Sequence, residues 1–261
     1  MEAKEPGADH GLLYRLYERR LRGQIDPTAL PHHIGVIVDG NRRWARQRSL
    51  ATAAHGHRAG ALKIVEFLGW ADEARIRVVT LYLLSADNLT GRETEELGEL
   101  TGIIGDLTAA LAAHDNWRIK HVGQAEGLPA SLTERLAGAE ASTAGATGLH
   151  VNLAVGYGGR AEITDAVRSI VEAHGAAGGS LDDLAQTLTP ELISDHLYTK
   201  GQPDPDLVIR TSGEQRVSDF MLWQSAHSEF YFVDALYPDL RKVDFLRALR
   251  SYSQRQRRYG A

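Results

Sequence analysis

A mainly parallel β-sheet with helices on both faces is the α/β fold class that this sequence predicts, and three observations predict it. Six short apolar runs alternate with longer segments of helical periodicity. Four of those runs lead directly into polar clusters, as in open α/β sheets, whose ligands gather at the carboxyl ends of the strands. A chain of 261 residues with 43% hydrophobic and 24% charged residues is ordinary for a globular protein and long enough to bury a sizeable core.

Taken in chain order, "GLLYRLYERRLRG" (Gly11–Gly23) is a basic amphipathic helix that either packs on its own domain or makes a peripheral membrane contact. Residues 1–30 read as an N-terminal helical extension and 31–261 as one catalytic-sized domain. Ile34–Val38 is an apolar first strand, followed by a helix over Gly60–Ala74 and a strand over Val78–Leu84. Glu93–Ala113 is a helix in which Leu97, Leu100, Ile104, Leu107 and Leu111 mark one face. Gly98, Gly102 and Gly105 sit among them, although each glycine costs about 1 kcal/mol relative to alanine in a helix. They leave room for a neighbouring helix or an apolar ligand. Strand Arg118–Val122, helix Ser131–Ser142, strand Leu149–Val155 and helix Ala161–Ala173 continue the alternation. After the surface loop "HGAAGGSLDD" come helix Leu181–Leu197, strands Leu207–Arg210 and Phe230–Val233, and helix Val243–Arg257.

Composition removes several function classes. With a net charge of −5 there is no expectation of generic nucleic-acid binding, so any anion site must be built locally. The absence of cysteine excludes disulfides, thiolate zinc sites and a cysteine nucleophile. No apolar run approaches the roughly 20 residues that span a bilayer, and "MEAKEPGADHG" does not read as a signal peptide. A cytoplasmic protein is expected, membrane-associated only if its first helix touches a lipid surface.

The polar clusters are Asp39–Arg43, Ser85–Asn88 with Arg92 a little beyond, Gly156–Arg160 and Arg210–Ser218. In "HIGVIVDGNRRWAR" (His33–Arg46), Gly40 permits a sharp turn and Arg42 and Arg43 suit phosphate oxygens. Asp39 would repel the same anion unless a divalent cation lies between them, so the cluster reads as a magnesium-bridged phosphate site. The alternative is a type I turn with a solvated Asp–Arg pair. In "DLVIRTSGEQRVSDF" (Asp206–Phe220), Arg210, Arg216 and Ser218 suit a second phosphate group, and Glu229 is a second candidate carboxylate for the cation. Other phosphate and ester chemistries do not fit. The chain has no G-x-x-x-x-G-K-[ST], no G-x-S-x-G and no D-D-x-x-D, and "VGYGG" lacks dinucleotide-site spacing.

"HIGVIVDGNRRWAR", "LYLLSADN", "VNLAVGYGGRAEI" and "DLVIRTSGEQRVSDFMLWQSAHSEFYF" together resemble the cis-prenyltransferases, the undecaprenyl diphosphate synthase family. The likeness runs in order from His33 to the C-terminus and is greatest to actinobacterial short-chain members, the Z-isoprenyl or Z-farnesyl diphosphate synthases. It implies a homodimeric enzyme with an apolar tunnel between sheet and helices. Such an enzyme condenses isopentenyl diphosphate with an allylic diphosphate, using Mg2+, and forms a cis double bond. On this resemblance Gly40, Asn41, Arg42, Arg43 and Trp44 hold the allylic diphosphate, together with His57, Ser85, Ala86, Asp87 and Arg92. Asp39 matches the aspartate that acts through the metal, and Asn88 an amide implicated in proton removal. Arg210, Arg216 and Ser218 match the isopentenyl diphosphate grip, Glu229 a metal ligand, and Arg258 of "RYG" a tail residue that reaches the partner subunit's site.

The chain also departs from the family pattern. Asp87 and Leu89 stand where glutamate and tryptophan are common, and a residue is inserted near Gly91. "SLATAA" (Ser49–Ala54) lacks an arginine that many members have, leaving His57 to compensate, and Gln215 replaces a metal-binding histidine. Leu83 occupies a position that is small in long-chain members, so the expected product is short, about C15, because packed interiors yield little. Two alternatives remain at this level: irregular head-to-middle coupling of two allylic diphosphates, and a non-catalytic partner subunit. Retention of Arg210, Arg216 and Ser218 favours head-to-tail condensation, and Asp39 with the full arginine set argues against a scaffold.

Overall fold

A computed structural model of the protein describes residues 11–91 and 93–255. Its strands are β1 (His33–Ile37), β2 (Val78–Ser85), β3 (Arg118–Val122), β4 (His150–Tyr157), β5 (Leu207–Arg210) and β6 (Glu229–Phe232). They form one sheet in the order β3-β4-β2-β1-β5-β6, and every pairing is parallel. The helices are α1 (Leu12–Arg22), α2 (Asn41–Gln47), α3 (Ala53–Glu73), α4 (Ala86–Gly91), α5 (Thr94–Ala112) and α6 (Ala130–Thr143). They continue with α7 (Gly159–Ala176), α8 (Leu181–Thr187), α9 (Pro190–Ser194) and α10 (Lys242–Gln254).

Parallel strands need crossover helices, and these cover both faces, which is why β1 is buried along its whole length. One face sends Ile34, Val36, Val79, Leu81, Val151 and Leu153 into the main core. There they meet α3, α5, α6 and α10, with Phe67 and Phe245 edge to face at 5.1 Å. The other face packs Ile37, Tyr82, Ala154 and Val208 against Phe220 and Met221.

At the amino end of the sheet a buried polar network crosses three strands. His33 binds the Pro203 carbonyl at 2.7 Å and the Thr80 hydroxyl at 2.8 Å, and Asn152 donates to Thr80 and to Gln202. Burial disfavours the charged imidazole and lowers the His33 pKa to about 4; burial, then the charges of Arg118 and Lys120, do the same to His150. The unfolded chain therefore binds more protons between pH 6.5 and about 4, so stability is lost as pH falls through that window. The expected loss from His33 alone is about 3 kcal/mol. Urea unfolding at neutral and mildly acidic pH measures it, and His33→Asn should flatten the slope.

Every sequence-predicted strand is present within two residues of its expected ends. The expected helix Leu181–Leu197 is two helices, because Thr189 caps a new start and Pro190 at its first position cannot continue the preceding helix. Two short helices not expected from the sequence, α2 and α4, follow β1 and β2 and carry parts of the first two polar clusters. The glycines of α5 are not on the ligand side. A side chain at Gly105 would meet Arg135 of α6, and Gly98 and Gly102 face open space.

Candidate active site

Four strand ends deliver the four polar clusters to one cavity of about 990 Å³, lined by Asp39–Arg43, Ser85–Asn88, Gly158, Arg160, Arg210 and Ser218. After β1 the chain turns at Gly40, whose φ of +107° lies in the left-handed region that glycine adopts without strain. α2 then starts at Asn41 and is seated by its neighbours. A Cβ at Gly56 would lie 2.0 Å from the Asn41 carbonyl oxygen, and one at Gly60 would lie 2.5 Å from its side-chain oxygen. These glycines, one turn apart on α3, let α2 lie directly on it. On the far side, Trp44 Nε1 donates to Asp239 at 2.9 Å, and Arg48 pairs with the same carboxylate while stacking on the Trp44 ring. Trp44 thus clamps α2 rather than lining the cavity.

Asp39 is the electrostatic centre. Its Oδ2 accepts from Arg210 Nη2 at 2.7 Å, and Arg43 Nη2 lies 3.9 Å from its Oδ1. Burial pushes the Asp39 carboxyl up, but hydrogen bonds from Arg210 and Ser212 and the charges of Arg210 and Arg43 outweigh it and hold the pKa below the usual carboxylate range. Arg210 is buried, and its Nη1 donates to Ser218 Oγ at 2.7 Å and to the Arg216 carbonyl. Among the described residues its Nε is buried without a hydrogen-bond partner. One guanidinium therefore joins the Asp39 cluster to the Ser218 cluster.

The loop carrying Ser218 is strained. Ser212, Ser218, Asp219 and Met221 all have φ between +47° and +79°, each costing about 1–3 kcal/mol unless surrounding bonds hold it. Those bonds come from beneath. Met221 N donates to the Tyr157 hydroxyl, which donates to Glu162, and Gln224 Nε2 lies 3.1 Å from both Glu162 oxygens. Tyr82 OH reaches the Ser218 carbonyl at 3.3 Å.

Beyond the polar mouth the wall turns apolar: Ile64 of α3, Leu83 and Leu84 of β2, and Leu100, Ile104 and Leu107 of α5. A β-bulge sets part of this wall. Tyr82 pairs with Ala154 and Leu84 with Val155, so Leu83 is an extra residue with no partner on β4. Regular alternation would send Leu83 and Leu84 to opposite faces; the bulge packs both on the main core, beside the cavity.

The structure gathers most of the sequence-predicted residues and separates others. His57 lines the cavity with its Nε2 3.7 Å from Glu96, which also lies 3.8 Å from Arg42. Arg216 contributes its carbonyl to Arg210, while its side chain pairs with Glu214 at the surface. Glu229 does not join Asp39. It opens β6 opposite Leu207, about 10 Å below the strand ends that carry Arg210, and pairs with Arg255 at 3.1 Å. Parallel register makes this unavoidable, since the first residue of a strand lies at the end opposite the ligand crevice. Arg92 and Arg258 lie outside the described residues. Sequence reading assigned no role to Arg46, Tyr82, Arg160 or Asp219, which also line the cavity. Arg160 and Asp219 were within reach, one ending a recognised cluster and the other following Ser218.

Comparisons with known proteins bear on the family and the fold. Residues 37–260 match the prenyltransferase family model described as undecaprenyl diphosphate synthase. The chain is 57% identical to isoprenyl transferase 1 of Streptomyces avermitilis over 250 residues, covering 95% of this chain and 96% of the relative. It is 55% identical to the (2Z,6E)-farnesyl diphosphate synthase of Thermobifida fusca over 248 residues, covering 95% and 97%. In structure it resembles lavandulyl diphosphate synthase from Lavandula x intermedia in complex with dimethylallyl diphosphate, with a TM-score of 0.81 and 33% identity over 88% of this chain and 98% of that one. The matched family model, the high identity to isoprenyl transferases and the shared fold agree, and the chain belongs to the undecaprenyl diphosphate synthase family of prenyltransferases.

Proposed function

We propose that the protein condenses isopentenyl diphosphate with a short allylic diphosphate, geranyl or dimethylallyl, to a Z-configured prenyl diphosphate of about C15, because rigidly packed walls limit the chain that fits. One observation carries this reading: a single cavity joins an arginine-rich mouth to an apolar wall that includes Leu83. The 55% identical relative named as a (2Z,6E)-farnesyl diphosphate synthase supports the short product.

The donor set suits Mg2+. Among the described residues no three carboxylates or histidines cluster as a ready-made metal cage. Mg2+ needs no such cage, since it is typically held by one or two carboxylates and substrate phosphates while keeping several waters. Asp39, ionised and only partly occupied by Arg210, offers that single carboxylate. Bound there, the metal would neutralise charge building on the departing diphosphate. Asn41, Arg42 and Arg43 would bind the allylic diphosphate, and Arg210 with Ser218 the isopentenyl diphosphate.

As the allylic C–O bond breaks, its electrons leave with diphosphate. The isopentenyl double bond forms the new C–C bond to the allylic carbon, and a proton lost from the adjacent carbon passes to a diphosphate oxygen. Asn88, whose backbone is fixed by Ser85 Oγ at 3.2 Å, would orient that proton, since an amide is no base at neutral pH. Ile64, Leu83, Leu100 and Ile104 would keep water from the cationic centre. A homodimer belongs to the same reading: among the described residues β6 is the last strand of the sheet and bears stacked Phe230 and Phe232, and Arg258 would serve the partner's site.

Turnover with labelled isopentenyl diphosphate, Mg2+ and dimethylallyl, geranyl or farnesyl diphosphate as separate primers tests this. Metal-dependent incorporation ending near C15 is expected if Leu83 in the cavity wall blocks a longer chain. Coupling of two dimethylallyl diphosphates without isopentenyl diphosphate would instead establish the irregular reaction. Leu83→Ala should lengthen the product by about one to three five-carbon units as the wall recedes, read by chromatography of the dephosphorylated alcohols. An unchanged length would remove Leu83 from the role of stop.

A further inference from the structure

α1 presents two contrasting faces. Tyr14, Tyr17 and Leu21 pack on Val243 and Leu246 of α10, and Arg247 donates to the Tyr17 hydroxyl at 3.1 Å. Glu18, Arg22, Lys242 and Glu73 form an ion-pair chain along one flank. On the opposite side Leu12, Leu13 and Leu16 are 75%, 83% and 55% exposed, and Arg15, Arg19 and Arg20 are exposed around them. At about 100° per residue, these six side chains share the half of the helix turned away from α10. Among the described residues no helix is long and apolar enough to cross a membrane.

The geometry points to α1 as an in-plane docking face for an anionic lipid surface, with Leu12, Leu13 and Leu16 entering the acyl boundary and Arg15, Arg19 and Arg20 meeting headgroup phosphates. Charge complementarity selects this occupant. The chain carries −5 overall, yet Leu12–Arg22 concentrates four arginines against one glutamate. A second copy docking symmetrically through the same face would set arginine against arginine, whereas anionic headgroups neutralise them. Arginine stems can also lie along the apolar boundary while their heads stay at the phosphates. Because α1 is already fixed to α10 by its inner face, docking requires no rearrangement of the helix. The inference stands apart from the reading of the reaction, although a product with a prenyl tail gives a use for a nearby lipid surface.

Flotation of the full-length protein with vesicles of phosphatidylcholine, alone or mixed with phosphatidylglycerol, tests the face. Binding to the mixed vesicles should exceed binding to phosphatidylcholine by at least about tenfold and fall with added salt. The combined variant Leu12→Ser, Leu13→Ser, Leu16→Ser should lose about tenfold or more on mixed vesicles, and Arg15→Gln, Arg19→Gln, Arg20→Gln should erase the preference for anionic lipid. Turnover on water-soluble short primers should be unchanged in both, which verifies folding and reads the reaction separately. Equal binding to both vesicle types by the unaltered protein, or no binding, overturns the inference. So does a leucine variant that floats like the parent. A change of oligomeric mass by light scattering in the leucine variant would assign the face to a protein contact and equally overturn it.

Discussion

Asp39→Ala should lower turnover about a thousandfold, the scale on which removing a preorganised charge-stabilising group acts. The side chain is the partner of a buried guanidinium, so the substitution has two consequences of different kinds. Loss of the carboxylate removes the proposed Mg2+ ligand at the allylic diphosphate. It also leaves Arg210, only 4% exposed, without its 2.7 Å counter-charge, which should cost about 1–3 kcal/mol of stability given the half-open position of Asp39. Asp39→Asn separates the two. An amide still accepts from Arg210 and fills the same volume, but it carries no charge for the metal. The expected pattern is near-native thermal unfolding for the asparagine variant, with turnover reduced almost as far as in the alanine variant. An asparagine variant retaining more than about a tenth of native turnover would falsify the carboxylate's role.

The pH behaviour follows from the same pair. Arg210, Ser212 and Arg43 together hold the Asp39 carboxyl below the ordinary carboxylate range against the opposing effect of burial. The stabilisation is present above the ordinary carboxylate pKa and is lost as pH falls through the lowered folded value. Asp39 therefore stays ionised throughout the neutral and mildly acidic range. Removing Arg210 should move the acid limb of turnover to higher pH.

Arg210→Met should raise KM for isopentenyl diphosphate about a hundredfold or more, the scale of losing a forked, charge-assisted phosphate contact. The guanidinium lines the cavity and donates to Asp39, Ser218 and the Arg216 carbonyl, so its fork is already held in one orientation at the site. Arg210→Lys preserves charge but not the fork, so it can hold either Asp39 or the Ser218 side, not both. The expected order of activity is arginine, then lysine, then methionine, with KM for the allylic diphosphate changing less than KM for isopentenyl diphosphate. Steady-state kinetics with each substrate varied in turn measures this. Equal changes in both constants would mean that Arg210 acts through Asp39 alone.

How much of this was legible beforehand follows from range. β1, with its unbroken apolar stretch, and α5, with leucines at helical spacing, are local signals and were readable. The Asp39–Arg43, Ser85–Asn88 and Arg210–Ser218 clusters were recognisable because each follows a strand, and strand ends are where such sheets place ligands. The separation of Glu229 from Asp39 within the chain was not legible, for the complementary reason. Glu229 looked like a partner for Asp39 by residue type, but it begins a strand instead of following one, and register puts it at the other end. The single helix expected over Leu181–Leu197 failed at Pro190, where a local rule was available.

The sequence by itself determined the alternation of strand and helix, the strand-end position of the reactive clusters and the membership of a prenyltransferase family, because these depend on neighbours within a few residues or on motifs read in order. Only the tertiary structure decided that Arg210 bridges Asp39 and Ser218, that Gly56 and Gly60 seat Asn41, and that a bulge brings Leu83 and Leu84 to the same wall. Each of these depends on segments far apart in the chain meeting at contact distance. Close packing makes such meetings definite, but a side chain's partner across the fold has no local signature.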